Sequence, residues 1–196
     1  MKATTTSEPR RGRPLDEEAS QSILAAALEL LLERGYGAMS MEAVAARAGV
    51  GKPAIYRRHR DKAELTAAAV RAIVPSIDLP DTGDTRNDLR ELARQALPMM
   101  KGPFAVLLGN MLAEAERQPD LIHAFRERIL WPRREVLKTV VRRGMQRGEV
   151  RPEVDLDQAA DVFGGQVVAR HIAGLPFTEE WTDAALEFFW RGLRAG

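Results

Sequence analysis

The chain has 196 residues, of which 45% are hydrophobic and 29% are charged, and its formal net charge is +1. This length and composition allow a proper core in one compact unit or in two small domains. The absence of cysteine excludes disulfide bonds and thiolate metal sites.

The first fourteen residues, MKATTTSEPRRGRP, are polar and basic, and we expect them to form a disordered arm. They contain no apolar segment of the kind that a secretory signal requires. The best candidate for a membrane span, residues 24–32, is interrupted by Glu29 and is shorter than a bilayer. We therefore expect a cytoplasmic protein.

The first predicted helix begins near Asp16 and ends at Gly35. Its apolar residues recur at helical spacing: Leu24, Ala27, Leu28 and Leu31. The second helix follows a good N-cap, Ser40, and Glu42 places negative charge in its first turn, where the helix dipole favours it.

A tight turn separates the second predicted helix from a third. Gly49 supplies the left-handed residue that ends the second helix. Pro53 is tolerated in the first turn of the third, because the N–H that it lacks has no helical partner there. Ala45, Gly49 and Ile55 have the spacing of a DNA-binding helix-turn-helix.

Basic residues crowd this segment although the net charge of the chain is small. They are Lys52, Arg57, Arg58, Arg60 and Lys62. DNA binding needs a local basic surface rather than a basic protein. A solvated face is the alternative interpretation, and the attached helix-turn-helix favours DNA binding.

The fourth predicted helix begins with a capping pair, Asp61 and Glu64, and is stopped by Pro75. Residues 75–84 form the clearest break of the chain, because they combine two prolines with several turn formers. Further helices are predicted over residues 85–100, 104–118, 121–147, 156–173 and 178–193. Pro132 must kink or split the third of these. The sequence thus predicts an all-α protein of about nine helices.

Residues 16–70 resemble the N-terminal domain of the TetR family of transcriptional regulators. The similarity rests on ILAAALELLLERGYGAMSMEAVA, which matches the family's first helix and the entry to its second. It rests equally on AIYRRHRDKAEL, which matches the recognition helix and the start of helix four. Two residues depart from the family pattern: His59 replaces a packing aromatic residue, and Gly51 replaces a Ser or Thr cap.

A second segment, residues 131–178, resembles the C-terminal domain of one TetR subgroup. It contains WPRREVLKTVVRRGMQRGEVRPEVDLDQAADVFGG. The two resemblances together imply a three-helix DNA-binding domain over residues 15–75 and a helical domain for effector binding and dimerisation over residues 76–196.

A regulator of this kind binds a near-palindromic operator as a homodimer, with each recognition helix in a major groove. Base contacts fall to Pro53, Ala54 and Arg57, since the guanidinium can fork onto guanine O6 and N7. Phosphate contacts fall to the N-terminus of the second helix and to nearby polar side chains: Ser40, Met41, Lys52, Tyr56 and Lys62. Arg11 and Arg13 are placed like arginines that enter a narrow minor groove, with a solubilising tail as the alternative.

The last two helices are predicted to form the dimer interface. Apolar residues lie on two sides of the helix over 156–173, and two adjacent glycines in its middle suit close approach of another helix. The residues assigned to the interface are Phe163, Gly164, Gly165, Val167, Trp181, Phe188 and Phe189. Ordinary core is the alternative, and the TetR resemblance favours the interface.

A cavity in the C-terminal domain is predicted to hold a small-molecule effector whose binding changes the separation of the recognition helices. The candidate lining residues are Met99, Met100, Phe104, Leu108, Met111, Phe125, Trp131, Phe163 and His171. His123 and Arg170 are further candidate polar anchors. Clustered Met and Phe suit a mostly apolar ligand, although such residues at helical spacing are otherwise plain core.

No catalytic motif is present in the sequence. His59, His123 and His171 lie too far apart for a paired metal-ligand motif. We therefore predict no enzyme activity and no metal or cofactor. The predicted function is a ligand-responsive repressor whose partners are operator DNA, a small-molecule effector and a second copy of the chain. The alternative is a helical small-molecule-binding dimer without specific DNA binding.

Overall fold

The computed structural model describes residues 13–100 and 102–196, and within them the fold is all α. The α-helices are α1 Arg13–Ala38, α2 Met41–Ala48, α3 Lys52–Tyr56, α4 Lys62–Ile73, α5 Thr85–Met100, α6 Pro103–Glu114, α7 Pro119–Phe125, α8 Trp131–Gln146, α9 Leu156–Ile172 and α10 Glu179–Leu193. A π-helical turn, Arg126–Leu130, joins α7 to α8 without a break. With these three segments taken as one, the described residues form nine helical stretches. The predicted fold class and helix number are confirmed.

The chain divides into two compact units, with the boundary between Ala69 and Val70. In the first unit, α1 packs against α2, and Ile23 and Leu30 of α1 are buried with Val44 of α2. No helix of the described part is long and apolar enough to cross a bilayer.

α1 differs from the predicted helix at its start and agrees with it at the predicted end. α1 begins at Arg13, ahead of the predicted start near Asp16, so Arg13 belongs to the helix and not to an arm. Arg11 lies outside the described residues. At its other end α1 is interrupted at Gly35, whose φ of 73° and ψ of 172° suit glycine alone. The predicted helix end therefore falls where the helical conformation breaks.

α4 begins with the predicted capping pair. Asp61 Oδ1 accepts a hydrogen bond from the Glu64 N–H at 2.8 Å, and this bond lowers the pKa of Asp61. The Glu64 carboxylate accepts a bond from the N–H of Arg60, also at 2.8 Å. In a standard capping box that second bond would come from the N–H of Asp61 itself, so the reciprocal bond is shifted by one residue.

Pro132 interrupts the regular α-helix of its segment as predicted, and the interruption is a π-helical turn that precedes it. Pro132 lies in the first turn of α8, and the N–H of Trp131 bonds to the carbonyl of Arg126, five residues earlier. Proline offers no N–H for a normal helical bond. One wide turn accommodates it, and the helix continues.

The second unit has its core where α5, α8, α9 and α10 meet. Leu89, Val140 and Leu186 are buried there. At Gly144, α8 approaches the start of α5 so closely that a Cβ atom would lie 2.5 Å from the Thr85 Oγ1. α5 and α8 are thus packed closely at Gly144, where a larger residue would disturb the contact.

Candidate nucleic-acid interface

Local signals fix both ends of α2. The Ser40 Oγ accepts a hydrogen bond from the Ala43 N–H at 3.1 Å and so caps the first turn. Gly49 is left-handed, with φ 67°, and the chain turns at once, since the Val50 N–H bonds to the Ala45 carbonyl at 3.1 Å. α3 therefore follows α2 after a short turn, which is the arrangement of a helix-turn-helix.

α3 has one face in the core and one in solvent. Ile55 is fully buried and anchors the helix. Ala54 is half-buried, and the side chains exposed to solvent are Lys52, Pro53, Tyr56 and Arg57. All the α3 residues predicted to contact DNA thus lie together on one short helix or directly after it.

The polar groups of the Tyr56 and Arg57 side chains have no partner within the described part of the chain. Neither the Tyr56 hydroxyl nor the Arg57 guanidinium makes a hydrogen bond or ion pair there, and Tyr56 is 50% exposed. A phenol and a guanidinium held side by side in solvent can donate to phosphate oxygens and to base edges without first breaking a bond.

The neighbouring cationic side chains, in contrast, form hydrogen bonds and ion pairs within the protein. Arg58 turns inward, donates a bond to the Ala54 carbonyl at 2.6 Å, and forms an ion pair with Asp16 of α1. Lys62 donates to the Tyr36 carbonyl at 2.9 Å, and its Nζ lies 4.1 Å from the centre of the Tyr36 ring. These contacts tie α3 and α4 to α1.

Two further cations are ion-paired at the surface. The Nζ of Lys52 lies 2.8 Å from Oε1 of Glu42, and the Nε of Arg60 lies 2.9 Å from Oδ2 of Asp61. The basic segment therefore has much less free positive charge than its sequence indicates. The N-terminus of α2 adds backbone donors at Met41, whose own side chain is buried.

Buried and paired residues hold the interface in place. Arg47 of α2 lies 2.7 Å from Oε1 of Glu33 and 3.4 Å from Oε2 of Glu29, both on α1. The hydrogen bond from Arg47 lowers the pKa of Glu33. His59, which departs from the family pattern, is only 9% exposed and so fills a packing position.

Sequence reasoning missed the carboxylates in this arrangement. It gives Glu42 only a role at the helix dipole, and it leaves Asp16 and Arg58 without partners. The Glu42–Lys52 pair joins residues ten apart in sequence on the two helices that the predicted turn connects, so opposite charges at these positions were the signal that could have indicated it. The Asp16–Arg58 pair has no such local signal.

The residues predicted to line an effector pocket lie in different places. Phe104 and Phe125 stack at 6.3 Å between ring centres, joining α6 to α7, and Met99 and Met111 are buried. Leu108 and His171 are half-buried. The side chain of Met100 lies outside the described residues.

Two of the predicted pocket residues make other contacts. Trp131 is 43% exposed and lies edge-on to His123. Phe163 packs against Phe189 at 5.2 Å. Beside Phe163 is a cavity of about 30 Å³ between α5, α9 and α10, with room for little more than a water molecule. Among the residues that the structure describes, those predicted to line the pocket are not brought into one effector-sized cavity.

The predicted interface helices expose large apolar side chains. Phe188 is 76% exposed and Ile172 77%, and Val162 is 48% exposed. Gly164 and Gly165 are exposed, and an added Cβ at either would meet no atom within 4 Å. Phe163, Val167 and Trp181 are half-buried, while Phe189 points into the core. Arg170 covers Trp181, with its guanidinium carbon 4.6 Å from the ring centre.

Comparison with known proteins gives two family matches. The family described as bacterial regulatory proteins, tetR family, matches residues 23–69. The family described as tetracyclin repressor-like, C-terminal domain, matches residues 79–188. Among the described residues, no three histidine or carboxylate side chains are grouped to hold a metal ion.

Individual proteins match over most of their length. The HTH-type transcriptional regulator YdeS of Bacillus subtilis is 29% identical over 164 residues, which is 83% of each chain. The DNA-binding transcriptional repressor TetR of Mycobacteroides abscessus is 33% identical over 172 residues, covering 83% of this chain and 87% of that one. The solved structure of the flavonoid-responsive regulator FrrA has a TM-score of 0.71 at 26% identity, over 91% of this chain and 98% of that one.

Proposed function

The chain belongs to the TetR family of transcriptional regulators, and on this basis we propose that it is a ligand-responsive repressor that binds a near-palindromic operator as a homodimer. The observation that carries the proposal is the exposed face of α3. There Tyr56 and Arg57 are held outward by the buried Ile55 and have no partner within the described part of the chain. The DNA-binding domain comprises residues 15–75, and the effector and dimerisation domain comprises residues 76–196.

Contacts with bases fall to the outward face of α3. Arg57 forks onto guanine O6 and N7, and Pro53 and Ala54 give apolar contacts with base edges. A bidentate arginine contributes about 1–3 kcal/mol of discrimination against a wrong base. The two half-sites lie roughly 34–36 Å apart, or a little more, as in other dimeric helix-turn-helix proteins.

Contacts with phosphates position α3 in the groove. Tyr56 donates its hydroxyl, and the N-terminus of α2 offers the Ser40 hydroxyl and the backbone N–H of Met41. Lys52 and Lys62 add positive charge, although each is already engaged in the free protein. Arg11 is assigned to the minor groove.

Dimerisation is assigned to α9 and α10. Exposed Phe188, Val162 and Ile172 offer an apolar surface that solvent does not favour. The open space over Gly164 and Gly165 admits a helix of a second copy at short distance. A two-fold axis beside these helices builds a four-helix interface from two identical pairs.

The effector is proposed to be small and mostly apolar. FrrA, a similar structure, is a flavonoid-responsive regulator, which supports a response to a small organic molecule. The cavity beside Phe163 is about 30 Å³, so a ligand that binds at this position must select a more open form of the cavity. Differential affinity for the open form is what releases operator. The similarity to a DNA-binding transcriptional repressor over most of the chain supports repression.

Selection of bound duplexes from a random pool tests the proposal. We expect recovery of one near-palindromic site by the wild-type protein, and its loss with Tyr56→Ala. Recovery of no sequence at low salt, with folded dimeric protein, would favour a small-molecule-binding dimer that does not recognise DNA.

A further inference from the structure

The anion-binding end of α2 already holds a carboxylate. Glu42 stands in the first turn of α2, behind the Ser40 cap. Its Oε1 lies 2.8 Å from the Nζ of Lys52, at the start of α3. Ser40, the helix N-terminus and Lys52 are the groups that the proposed function assigns to a DNA phosphate.

Glu42 accepts a hydrogen bond from a cation, as a bound anion does. The bond from the Lys52 ammonium to Oε1 contributes most to lowering the pKa of the Glu42 carboxyl. A helix N-terminus, a hydroxyl and an ammonium are the donors that hold phosphate groups in proteins. The Glu42 carboxylate therefore lies in the first turn of α2 and uses one donor of this set, the Lys52 ammonium.

The pair can open without disturbing the core. The side chain of Lys52 is 54% exposed and that of Glu42 is 56% exposed. Exposed pairs of this kind contribute little to stability. A DNA phosphate at the same position would compete with the carboxylate at little structural cost.

We propose that Glu42 is an internal competitor of DNA phosphate: in the free protein its carboxylate occupies the phosphate position beside Lys52, and operator binding must displace it. The inference rests on the proposed DNA-binding function. When the Lys52 ammonium leaves Glu42 and pairs with a phosphate, a counterion is released from the DNA, but the freed carboxylate attracts a cation. Replacing one ion pair by the other should therefore add little to the affinity for DNA or to the salt dependence of that affinity.

A double-mutant cycle with Glu42→Gln and Lys52→Gln tests this. Affinity for the selected operator is measured over a range of salt concentrations. We expect Glu42→Gln to tighten binding and to steepen the slope of log affinity against log salt by about 0.9 for each recognition helix. Lys52→Gln alone should leave the slope nearly unchanged, and in the Glu42→Gln background it should cancel the increase.

Glu29→Gln is the matched control, because it removes the same charge from an exposed glutamate whose partner is Arg47. An equal slope increase in Glu29→Gln would overturn the inference in favour of a general charge effect. It would also be overturned by a Glu42→Gln increase that survives Lys52→Gln, since Glu42 would then merely repel DNA. A slope made shallower by Lys52→Gln alone would mean that Lys52 contacts phosphate despite Glu42, and this would also overturn the inference. Failure of the wild-type protein to bind any duplex would instead defeat the proposed function.

Discussion

Arg58 is ion-paired with Asp16, and the pair joins the end of α3 to the first helix of the same unit. The Arg58 side chain is 15% exposed, whereas the adjacent Arg57 is exposed and has no partner within the described residues. The two neighbouring arginines therefore differ in their contacts. Arg58 attaches α3 to α1, and Arg57 is the arginine that we propose contacts DNA.

Removing the Asp16 charge should weaken this attachment. We expect Asp16→Asn to lower the free energy of unfolding by up to about 1 kcal/mol, the usual range for an ion pair with an exposed partner. Urea unfolding measures the change. Glu17→Gln is the control, because Glu17 is exposed on the same helix and makes no ion pair with a described residue. Equal stability of the two variants would contradict a structural role for Arg58.

A side chain at Gly144 should destabilise the second unit. In Gly144→Ala the new Cβ would lie 2.5 Å from the Thr85 Oγ1 and 2.7 Å from the Val150 Cγ2. We expect a loss of about 1–3 kcal/mol, typical of overpacking. Gly109→Ala is the control, since a Cβ there meets no atom within 4 Å and alanine favours the interior of α6 by about 1 kcal/mol. A denaturation midpoint raised by Gly144→Ala would show that α8 and α5 are less closely packed.

Phe188→Ser should weaken dimerisation without unfolding the chain. Phe188 is 76% exposed in one copy, so the substitution leaves the core intact. Burying a phenylalanine contributes about 1.5–3 kcal/mol, so we expect the dimer dissociation constant to rise at least tenfold in sedimentation experiments. Val106→Ser, at a 57% exposed position on α6, should leave it unchanged. A dimer that resists Phe188→Ser would place the interface elsewhere.

The adjacent glycines of α9 offer an independent test of the same interface. Alanine at Gly164 and Gly165 fits the single chain, because nothing lies within 4 Å of either added Cβ. It should also strengthen the helix by about 1 kcal/mol for each glycine. If a partner helix approaches at these positions, the double variant will dissociate more readily than the wild type. Unchanged dissociation would mean that the glycines face solvent in the dimer.

Local signals made the first unit predictable. Ser40 caps α2 and Gly49 ends it because both effects depend on residues within one turn. The Asp61 cap of α4 is equally local, and the shifted bond to Arg60 changes only its detail. Such interactions are determined before tertiary packing, so sequence spacing is enough to find them.

Tertiary packing determines which of the predicted apolar and charged residues contact one another, and the sequence pattern does not. Phe188 and Phe189 are adjacent and chemically identical, yet one is exposed and the other is buried. The inward position of Arg58 depends on an ion pair with Asp16, which is distant in sequence. The predicted pocket residues share composition but not position, since Phe104 stacks on Phe125 while Phe163 packs on Phe189. Hydrophobic spacing identifies buried faces and does not say which of them meet.

Sequence-specific binding through α3 is measured most directly by the specificity ratio, the affinity for operator divided by the affinity for unrelated DNA. Affinities of wild-type protein and Arg57→Ala are compared on the selected operator and on a scrambled duplex of equal length, at one physiological salt concentration. We predict that the wild type prefers the operator by at least about 10³-fold. Arg57→Ala should lose about 1–3 kcal/mol of this preference for each half-site, while its affinity for scrambled DNA falls much less. Equal binding of both duplexes by the wild type, or an unchanged ratio in Arg57→Ala, would contradict the assignment of α3 as the sequence-reading helix.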